Sequence, residues 1–426
     1  MKYDGLDDIL SYGTRAQIYA VTMIVSMMSV GLYQTRIRDG ISGILLRLII
    51  AYSIGILALA LLFYIVPDAF LGRGILVIST VISLTTVLII RYIIYKFDSD
   101  IFKQRILVLG SGKNASTLTS LRRKTDQFGF VILGYVHVSG TPHCIAPDKI
   151  IKLKMPLKNF ALKNEVDEIV LAIDDRRKGL PTHDLLDCKM SGIKITDLAS
   201  FFEREARKIR LDQIHPSWLM LSDGFNKSIF HDMGKRFFDV VSSSLLLLLT
   251  WPFMIFTIIA IKIEDGFNAP VIYRQIRVGE NGRPFPVYKF RSMSVDAEND
   301  GKAKWAQQHD SRITRTGKFI RKVRFDELPQ IFNVFKGHMS FVGPRPERPE
   351  FVVALSEKIP YYSERHRVKP GITGWAQICY PYGASEKDSL EKLQYDLYYV
   401  KNQSLFLDFL ILLQTAEVIL FGRGAR

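Results

Sequence analysis

Three apolar stretches crowd the first hundred residues, at 17–33, 41–66 and 75–95, so the chain must first place its backbone in a bilayer. Each approaches or exceeds the roughly 20 apolar residues that cross a membrane as a helix. The first lacks the charged start and small-residue cleavage site of a secretory signal, and it reads as a span. Arg36 and Arg38 lie between the first two stretches, Arg91 and Lys96 end the third, and 67–74 carries only Arg73. The positive-inside rule then sets the N-terminus outside and everything after Lys96 in the cytoplasm. Arg47 falls near the cytoplasmic end of the second stretch, where its charged head can snorkel outward. No charged pathway crosses these segments, which suits an anchor rather than a transport route.

Composition agrees with a membrane protein that handles acidic ligands. At 426 residues the chain has room for two or three domains, and 48% hydrophobic residues is high for a purely soluble protein. A net charge of +15 suits anionic lipid surfaces, nucleotide diphosphates and nucleic acid alike. Cys144, Cys188 and Cys379 lie far apart with no CxxC, and the eight histidines form no HxxxH or HExxH pair. Neither a disulfide framework nor a zinc site is indicated.

From Arg105 the run RILVLGSGKNA leads into Gly110-x-Gly112-x-x-Ala115, the shape of a dinucleotide or phosphate turn. Strand-like runs at 131–138 and 168–172 alternate with helical patterns such as 197–208. This predicts a parallel, Rossmann-like α/β domain over 101–215, with a connector at 216–234. The ribose-binding acid expected after the second strand is missing, because GYVHVSG offers His137 and Ser139 there, and no P-loop surrounds Lys113. A regulatory or assembly role fits better than a working NAD site.

The densest chemistry lies in RKVRFDELPQIFNVFKGHMSFVGPRPER, residues 321–348. Asp326 and Glu327 stand side by side among Arg321, Lys322, Arg324, Lys336, Arg345 and Arg348. A carboxylate pair in a cationic field suits phosphoryl transfer: the cations hold phosphate oxygens, and one carboxylate attacks phosphorus or positions the group that does. Pro344 and Pro346 fix φ on both sides of Arg345 and present its guanidinium on a stiff backbone. Asp326 equally suits the N-cap of a helix beginning near Leu328, with Pro329 in its first turn.

DELPQ followed by NVFKGHMSFVGPRPE resembles the signature of the bacterial sugar transferases, the monotopic polyprenyl-phosphate phosphoglycosyl transferases. The likeness extends both ways, through KRFFDVV at Lys235, QIRVGENG at Gln275, YKFRSM at Tyr288, DAE at Asp296, RITRTGKFIRK at Arg312, KPGITGWAQ at Lys369 and YDLYYVKNQSL at Tyr395. It covers 235–426, somewhat under half the chain, and larger members carry a Rossmann-like module ahead of it.

The stretch 237–263 repeats the membrane signal, with Asp239 near its start and Pro252 in its middle. A full span would carry the DELPQ region outside, away from cytoplasmic nucleotide sugars. A helix that breaks around Thr250, Trp251 and Pro252 and returns to the same face avoids this, since Pro removes a donor and Thr250 can serve the freed groups. An ordinary kinked span is the alternative. The resembling family uses a re-entrant helix with a proline break. The expected fold class is therefore an α/β membrane protein: N-terminal transmembrane helices over 1–100, a Rossmann-like α/β middle domain, and an α-rich monotopic catalytic domain with a re-entrant membrane helix. The last apolar run, 405–421, is interrupted by Asp408, Gln414, Thr415 and Glu417 and reads as an interfacial helix. Tyr395, Tyr398 and Tyr399, with Trp375, suit either a headgroup-level aromatic belt or core packing.

The resemblance implies a reaction in which Asp326 attacks the β-phosphate of a UDP-sugar, UDP-glucose being the expected donor. UMP leaves, and a phosphosugar stays on the carboxylate until undecaprenyl phosphate takes it. This would begin an exopolysaccharide or capsule repeat unit. It implies Mg²⁺ bound through Asp326 and the donor phosphates, Glu327 as partner for metal or proton handling, Arg277, Lys289, Arg321 and Arg345 as phosphate-binding cations, and Asp396 as a supporting or sugar-contacting acid. Partners would be the UDP-sugar, undecaprenyl phosphate and the lipid bilayer, not nucleic acid, in the bacterial inner membrane with the catalytic domain facing the cytoplasm. A homo-oligomer is compatible with the sequence. Two rival readings exist. A membrane-anchored NAD-dependent dehydratase or epimerase needs a Tyr-x-x-x-Lys pair, and Tyr92 with Lys96, at the end of a span, is the only one. A non-catalytic membrane scaffold would leave DELPQ without a use.

Overall fold

The computed structural model describes residues 5–33, 41–96, 103–119, 129–138, 144–174, 180–211, 222, 224–225, 229–294, 312–380, 383 and 385–421. Arg36, Arg38, Asp296 and most of the 216–234 connector lie outside these residues. The chain divides into two compact units, Met1–Ala206 and Arg207–Arg426.

The first unit opens with α1 (Gly5–Ser29), α2 (Ile41–Ile65) and α3 (Arg73–Lys96). Among the described residues, the helical segments Gly43–Ile65 and Arg73–Ile93 are long and apolar enough to cross a membrane, as is a third helix in the second unit; α1 is not among them. Polar contacts fasten the three helices. The Tyr19 and Ser83 hydroxyls lie 3.0 Å apart, and the Tyr52 hydroxyl donates to the same Ser83 oxygen at 3.1 Å. Arg47 does not snorkel: it is buried and donates to the Val30 carbonyl at 2.8 Å. The reason is local, since the carbonyls at the end of α1 have no partner within the helix and an inward guanidinium satisfies one.

A five-stranded sheet follows, built from β1 (Gln104–Leu109), α4 (Lys113–Leu118), β2 (Phe130–Val136), β3 (Ile150–Ile151), α5 (Leu157–Lys163), β4 (Glu168–Leu171), α6 (Thr182–Met190), β5 (Lys194–Asp197) and α7 (Leu198–Ala206). Its order is β3-β2-β1-β4-β5 and every pairing is parallel, as the alternation of elements predicted. Both faces are covered. Ile106, Val108 and Val170 pack on Phe201 and Phe202, while Leu107, Leu109 and Ile169 pack on Leu157 and Leu185, as the two-residue period of a strand requires. The glycine turn after β1 is already occupied. Asp174 accepts the Lys113 N–H at 2.9 Å and the Asn114 N–H at 2.7 Å, and a Cβ on Gly112 would stand 2.0 Å from that carboxylate. An arriving pyrophosphate would have to displace it.

The second unit contains α8 (Ile229–Asp265), β6 (Ile272–Val278), β7 (Pro284–Phe290), α9 (Arg315–Lys322), α10 (Gln330–Lys336), β8 (Ser340–Val342), α11 (Pro349–Lys358), β9 (Gly371–Thr373), α12 (Trp375–Cys379), α13 (Glu386–Lys401) and α14 (Leu405–Phe421). The chain before α8 already belongs here, since Ile209 packs with Ile359, Tyr362 and Leu393, and Trp375 Nε1 donates to the Arg207 carbonyl at 2.9 Å.

Helix α8 runs 37 residues as one element with Pro252 inside it, so the proline does not end the helix. Nor does Thr250 serve the carbonyl that the proline leaves free. Pro252 cannot donate to Leu248, whereas the Thr250 hydroxyl donates to Leu246 at 2.6 Å. One face of α8 packs against the unit near both ends: Lys235, Asp239 and Ser243 are buried near its start, Thr257 and Ile261 near its end, and the Phe253 ring lies tilted at 52° against Phe325 with centroids 5.5 Å apart. The opposite face leaves Phe237, Leu245, Leu248, Trp251, Phe256 and Ile263 exposed. This is the division expected of a helix between protein and lipid.

Beside α8 the core gathers Phe285, Val287, Val334, Phe341, Trp375, Tyr399, Leu407 and Ile411. Trp375 and Tyr399 are buried, so these two pack in the core rather than in an aromatic belt. The α14 run expected at an interface contributes Leu407, Leu410 and Ile411 to the interior and leaves Leu405 and Phe406 outside. We expect Asp174→Ala to speed amide exchange at Lys113 and Asn114 and to cost about 1 kcal/mol of local stability, because two N–H groups lose their acceptor. Hydrogen exchange with mass spectrometry reads this directly, and unchanged protection would show that the carboxylate is incidental.

Candidate active site

The candidate site is assembled from three stretches that the sequence separates widely. The first begins where Thr314 caps α9 by accepting the Gly317 N–H at 2.9 Å, and Glu264 at the end of α8 accepts the Arg315 and Thr316 N–H groups at 2.8 and 2.7 Å. A Cβ on Gly317 would sit 2.0 Å from the Ser292 carbonyl, so glycine is required for this approach. The chain then reverses at Arg324, whose φ is 62°, into the 3₁₀ turn Phe325–Glu327. Two neighbouring carboxylates thus meet the site from one tight turn.

The second stretch is the β6–β7 hairpin, which turns at Asn281 and Gly282, both with positive φ. Buried Asn333 of α10 ties β7 in place, donating to the Pro286 carbonyl at 2.7 Å and accepting the Tyr288 N–H at 3.1 Å. Lys289 then lies with Nζ 3.0 Å from Glu327 Oε1. The third stretch is Gly-Pro-Arg-Pro after β8. Gly343 donates to the Thr373 carbonyl at 2.9 Å and Gly371 to the Pro344 carbonyl at 3.0 Å. A Cβ on either glycine would come within 2.2 Å of the opposing backbone. Pinned this way, Arg345 places Nη2 3.1 Å from the same Glu327 Oε1.

The two carboxylates differ sharply. Burial opposes ionisation of Glu327, but Arg345 and Lys289 outweigh it and hold its pKa well below the ordinary carboxylate value. Burial and then the adjacent Glu327 push Asp326 upward, against Lys289, Arg321 and Arg324. Asp326 Oδ1 is buried and accepts no hydrogen bond, and Pro329, not Asp326, stands at the N-cap of α10 with no side-chain cap, so the helix-capping reading does not hold. Arg321 Nη1 is likewise buried without an acceptor. An unsatisfied acceptor and an unsatisfied donor in one basin are what a bound phosphate and its counter-ion would complete. Among the described residues no three His, Cys, Asp or Glu side chains gather for a metal. One free carboxylate oxygen therefore fits Mg²⁺ only as an ion shared with substrate phosphates, its usual habit.

Arg277 joins the rim: Nη2 donates to Gln275 Oε1 at 2.5 Å and Nη1 lies 3.6 Å from Glu347 Oε2. Asp396 stands elsewhere. It is buried on α13 with Oδ2 2.8 Å from Arg365 Nη2, and burial carries its pKa up to about 6 despite that cation. Arg365 also donates to the Arg345 carbonyl at 3.0 Å, so Asp396 is linked to Arg345 through Arg365. Asn333, Glu347 and Arg365 were not singled out from the sequence, and no local pattern marks them.

These shifts predict opposite stability effects. A pKa raised by folding makes the ionised form a cost above that value, so Asp326→Asn should stabilise the protein at pH 8 by about 1 kcal/mol. The gain should shrink as pH falls through the raised value. A depressed pKa stabilises above the unfolded value, so Glu327→Gln should cost about 3 kcal/mol at pH 8, a loss that fades only below the ordinary carboxylate range. Apparent melting temperatures in detergent at several pH values check both signs.

Comparison with known proteins bears on this geometry. Residues 230–422 match the sequence model described as Bacterial sugar transferase. Over 253 residues the chain is 41% identical to the UDP-N-acetylgalactosamine-undecaprenyl-phosphate N-acetylgalactosaminephosphotransferase of Aeromonas hydrophila, covering 59% of this chain and 58% of that protein. It is 37% identical over 325 residues to the UDP-glucose:undecaprenyl-phosphate glucose-1-phosphate transferase of Klebsiella pneumoniae, covering 74% and 67%. It is 29% identical over 363 residues to the undecaprenyl-phosphate galactose phosphotransferase of Salmonella typhimurium, covering 76% and 70%. The chain thus spans between about three fifths and seven tenths of these relatives' lengths. On the family match and these relatives together, the chain belongs to the bacterial sugar transferase family.

Proposed function

We propose that this chain transfers a sugar 1-phosphate from a UDP-sugar to undecaprenyl phosphate and releases UMP. The observation that carries the proposal is the buried, unbonded oxygen of Asp326 beside a Glu327 already committed to Lys289 and Arg345. A carboxylate that needs no partner for folding is available to reacting phosphorus. In the first half-reaction an Asp326 oxygen forms a bond to the β-phosphorus, the bond to the bridging oxygen breaks, and UMP carries that oxygen away. In the second, a phosphate oxygen of undecaprenyl phosphate attacks the same phosphorus, and Asp326 departs as a free carboxylate. The covalent stage divides one difficult transfer into two and predicts ping-pong kinetics.

Arg321 has an uncommitted donor for a phosphate oxygen. Lys289 and Arg345, held by Glu327, supply fixed positive charge where negative charge accumulates, without moving during reaction. Asp326, together with the donor's phosphates, would hold a Mg²⁺ ion, which would offset the negative charge of the diphosphate. The relatives' names divide among glucose, galactose and N-acetylgalactosamine, so a panel of the three UDP-sugars chooses the donor, with UDP-glucose the expected one.

Asp326→Asn should lower UMP release by at least about 10³-fold, because loss of the nucleophile removes the covalent route. Wild-type protein incubated with donor alone should gain the mass of one phosphosugar at Asp326. Full activity in Asp326→Asn, or a single-displacement pattern, would sink the mechanism.

The same proposal sets α8 as a re-entrant element with the catalytic unit facing the cytoplasm. Its support is the packing of α8 on that unit at both ends, through Lys235 and Asp239 at one and Ile261 and Glu264 at the other. Cysteines introduced just before Lys235 and just after Glu264 should both label only from the cytoplasmic side. Labelling from opposite sides would make α8 a span.

A further inference from the structure

Lys235, Arg236 and Asp239 have no part in the chemistry above, yet all three turn from the first turns of α8 into the protein. Lys235 Nζ donates to the Val342 carbonyl at 3.0 Å and to the Tyr399 hydroxyl at 2.9 Å, and it pairs with buried Asp408. Asp239 Oδ1 accepts the Ser340 hydroxyl at 3.0 Å and the Phe341 N–H at 3.1 Å. Arg236 donates to the Val334 and Phe335 carbonyls at 2.8 and 2.7 Å.

The targets of these bonds are not scattered. Val334 and Phe335 close α10, which starts just after Glu327, and 340–342 are the whole of β8, which runs directly into Gly343, Pro344 and Arg345. Between them Gly337 turns with φ of 85°, and a Cβ there would lie 3.4 Å from the Arg236 guanidinium. Three side chains at positions i, i+1 and i+4 of one helix therefore grip, mostly by backbone groups, the segment joining Glu327 to Arg345. A buried ion pair such as Lys235–Asp408 is weak support for stability as such, because apolar residues of similar volume often serve as well. Its distinct contribution is a fixed direction for what it binds.

We infer that Lys235, Arg236 and Asp239 form a positioning device that sets Arg345 against Glu327, so that the membrane helix fixes the cation of the site. Arg345 is reached through Val342 and Gly343, and Gly343 is locked from its other side by Thr373. A displacement of β8 would have no slack to absorb it, and a shift of about 1 Å at a phosphate-holding cation is enough to cost on the order of 100-fold in rate.

The test is a double-mutant cycle on the full-length protein in lipid nanodiscs, and its activity arm rests on the sugar-phosphate transfer proposed above. Lys235→Met keeps the aliphatic stem and removes the donor. It should lower kcat/KM for UMP release about 30-fold in the wild-type background and less than about 2-fold beside Arg345→Ala, since coupled residues are not additive. Equal losses in both backgrounds, or no loss, would overturn the inference. A second arm needs no substrate: hydrogen exchange at 340–346 should quicken in Lys235→Met while α13 keeps its protection. Uniform quickening would mean general loosening and would also overturn it. Should Lys235→Met fail to fold, Arg236→Gln, at a partly exposed position, enters the same cycle with the same outcomes. Absence of UMP release from the wild type would count against the proposed reaction alone, leaving the exchange arm to decide.

Discussion

The contact on which the second unit depends is the one Glu327 oxygen that meets Lys289 at 3.0 Å and Arg345 at 3.1 Å. A carboxylate largely withdrawn from water is tolerable only when paired, and its partners arrive from a hairpin on one side and a proline-flanked loop on the other. Removing it would leave two cations facing each other, with Lys289 already discouraged from carrying charge by burial. Glu327 therefore functions as the fixed counter-ion that lets a cationic basin exist at all. Its neighbour Asp326 is free because Glu327 is not.

Backbone proximity does as much as charge. Gly343 and Gly371 meet so closely that no side chain fits at either position, and Gly374 comes equally near the Gly343 carbonyl. The motifs GPRP and KPGITG are thus two halves of one contact. Prolines stiffen the loop locally, but its aim comes from a parallel pairing with a segment 31 residues further along, Ser340 with Gly371 and Val342 with Thr373.

What could be read from the sequence follows from how local each cause is. The parallel sheet was legible because its strands are short apolar runs separated by helical patterns, and Asp326 with Glu327 because they are adjacent. Lys289 and Arg345 were legible as cations but not as partners of one oxygen. Asn333 gave no signal, since a buried amide is recognised only by the strand it bonds. Asp396 was legible as an acid suited to a supporting or a sugar-contacting place, but not as the partner of Arg365, which no local pattern marks. The glycine turn was legible as a turn, but its occupant was not, because Asp174 follows a different strand some 60 residues further along.

Helix α8 shows where hydropathy runs out as an argument. Its composition satisfies any length criterion for a span, yet Lys235, Asp239 and Ser243 recur at intervals of four, the spacing of one helical face, and each finds a protein partner or is buried. A simple span anchored at one end would lose such contacts as it moved away from the domain. Here the buried face resumes at Thr257 and Ile261, and Glu264 caps α9, the helix that leads into the carboxylates. An apolar helix whose buried polar residues lie on one stripe, with protein along both ends of it, is held by that protein rather than by the bilayer alone. Its lipid-suited face then records only which side is left over.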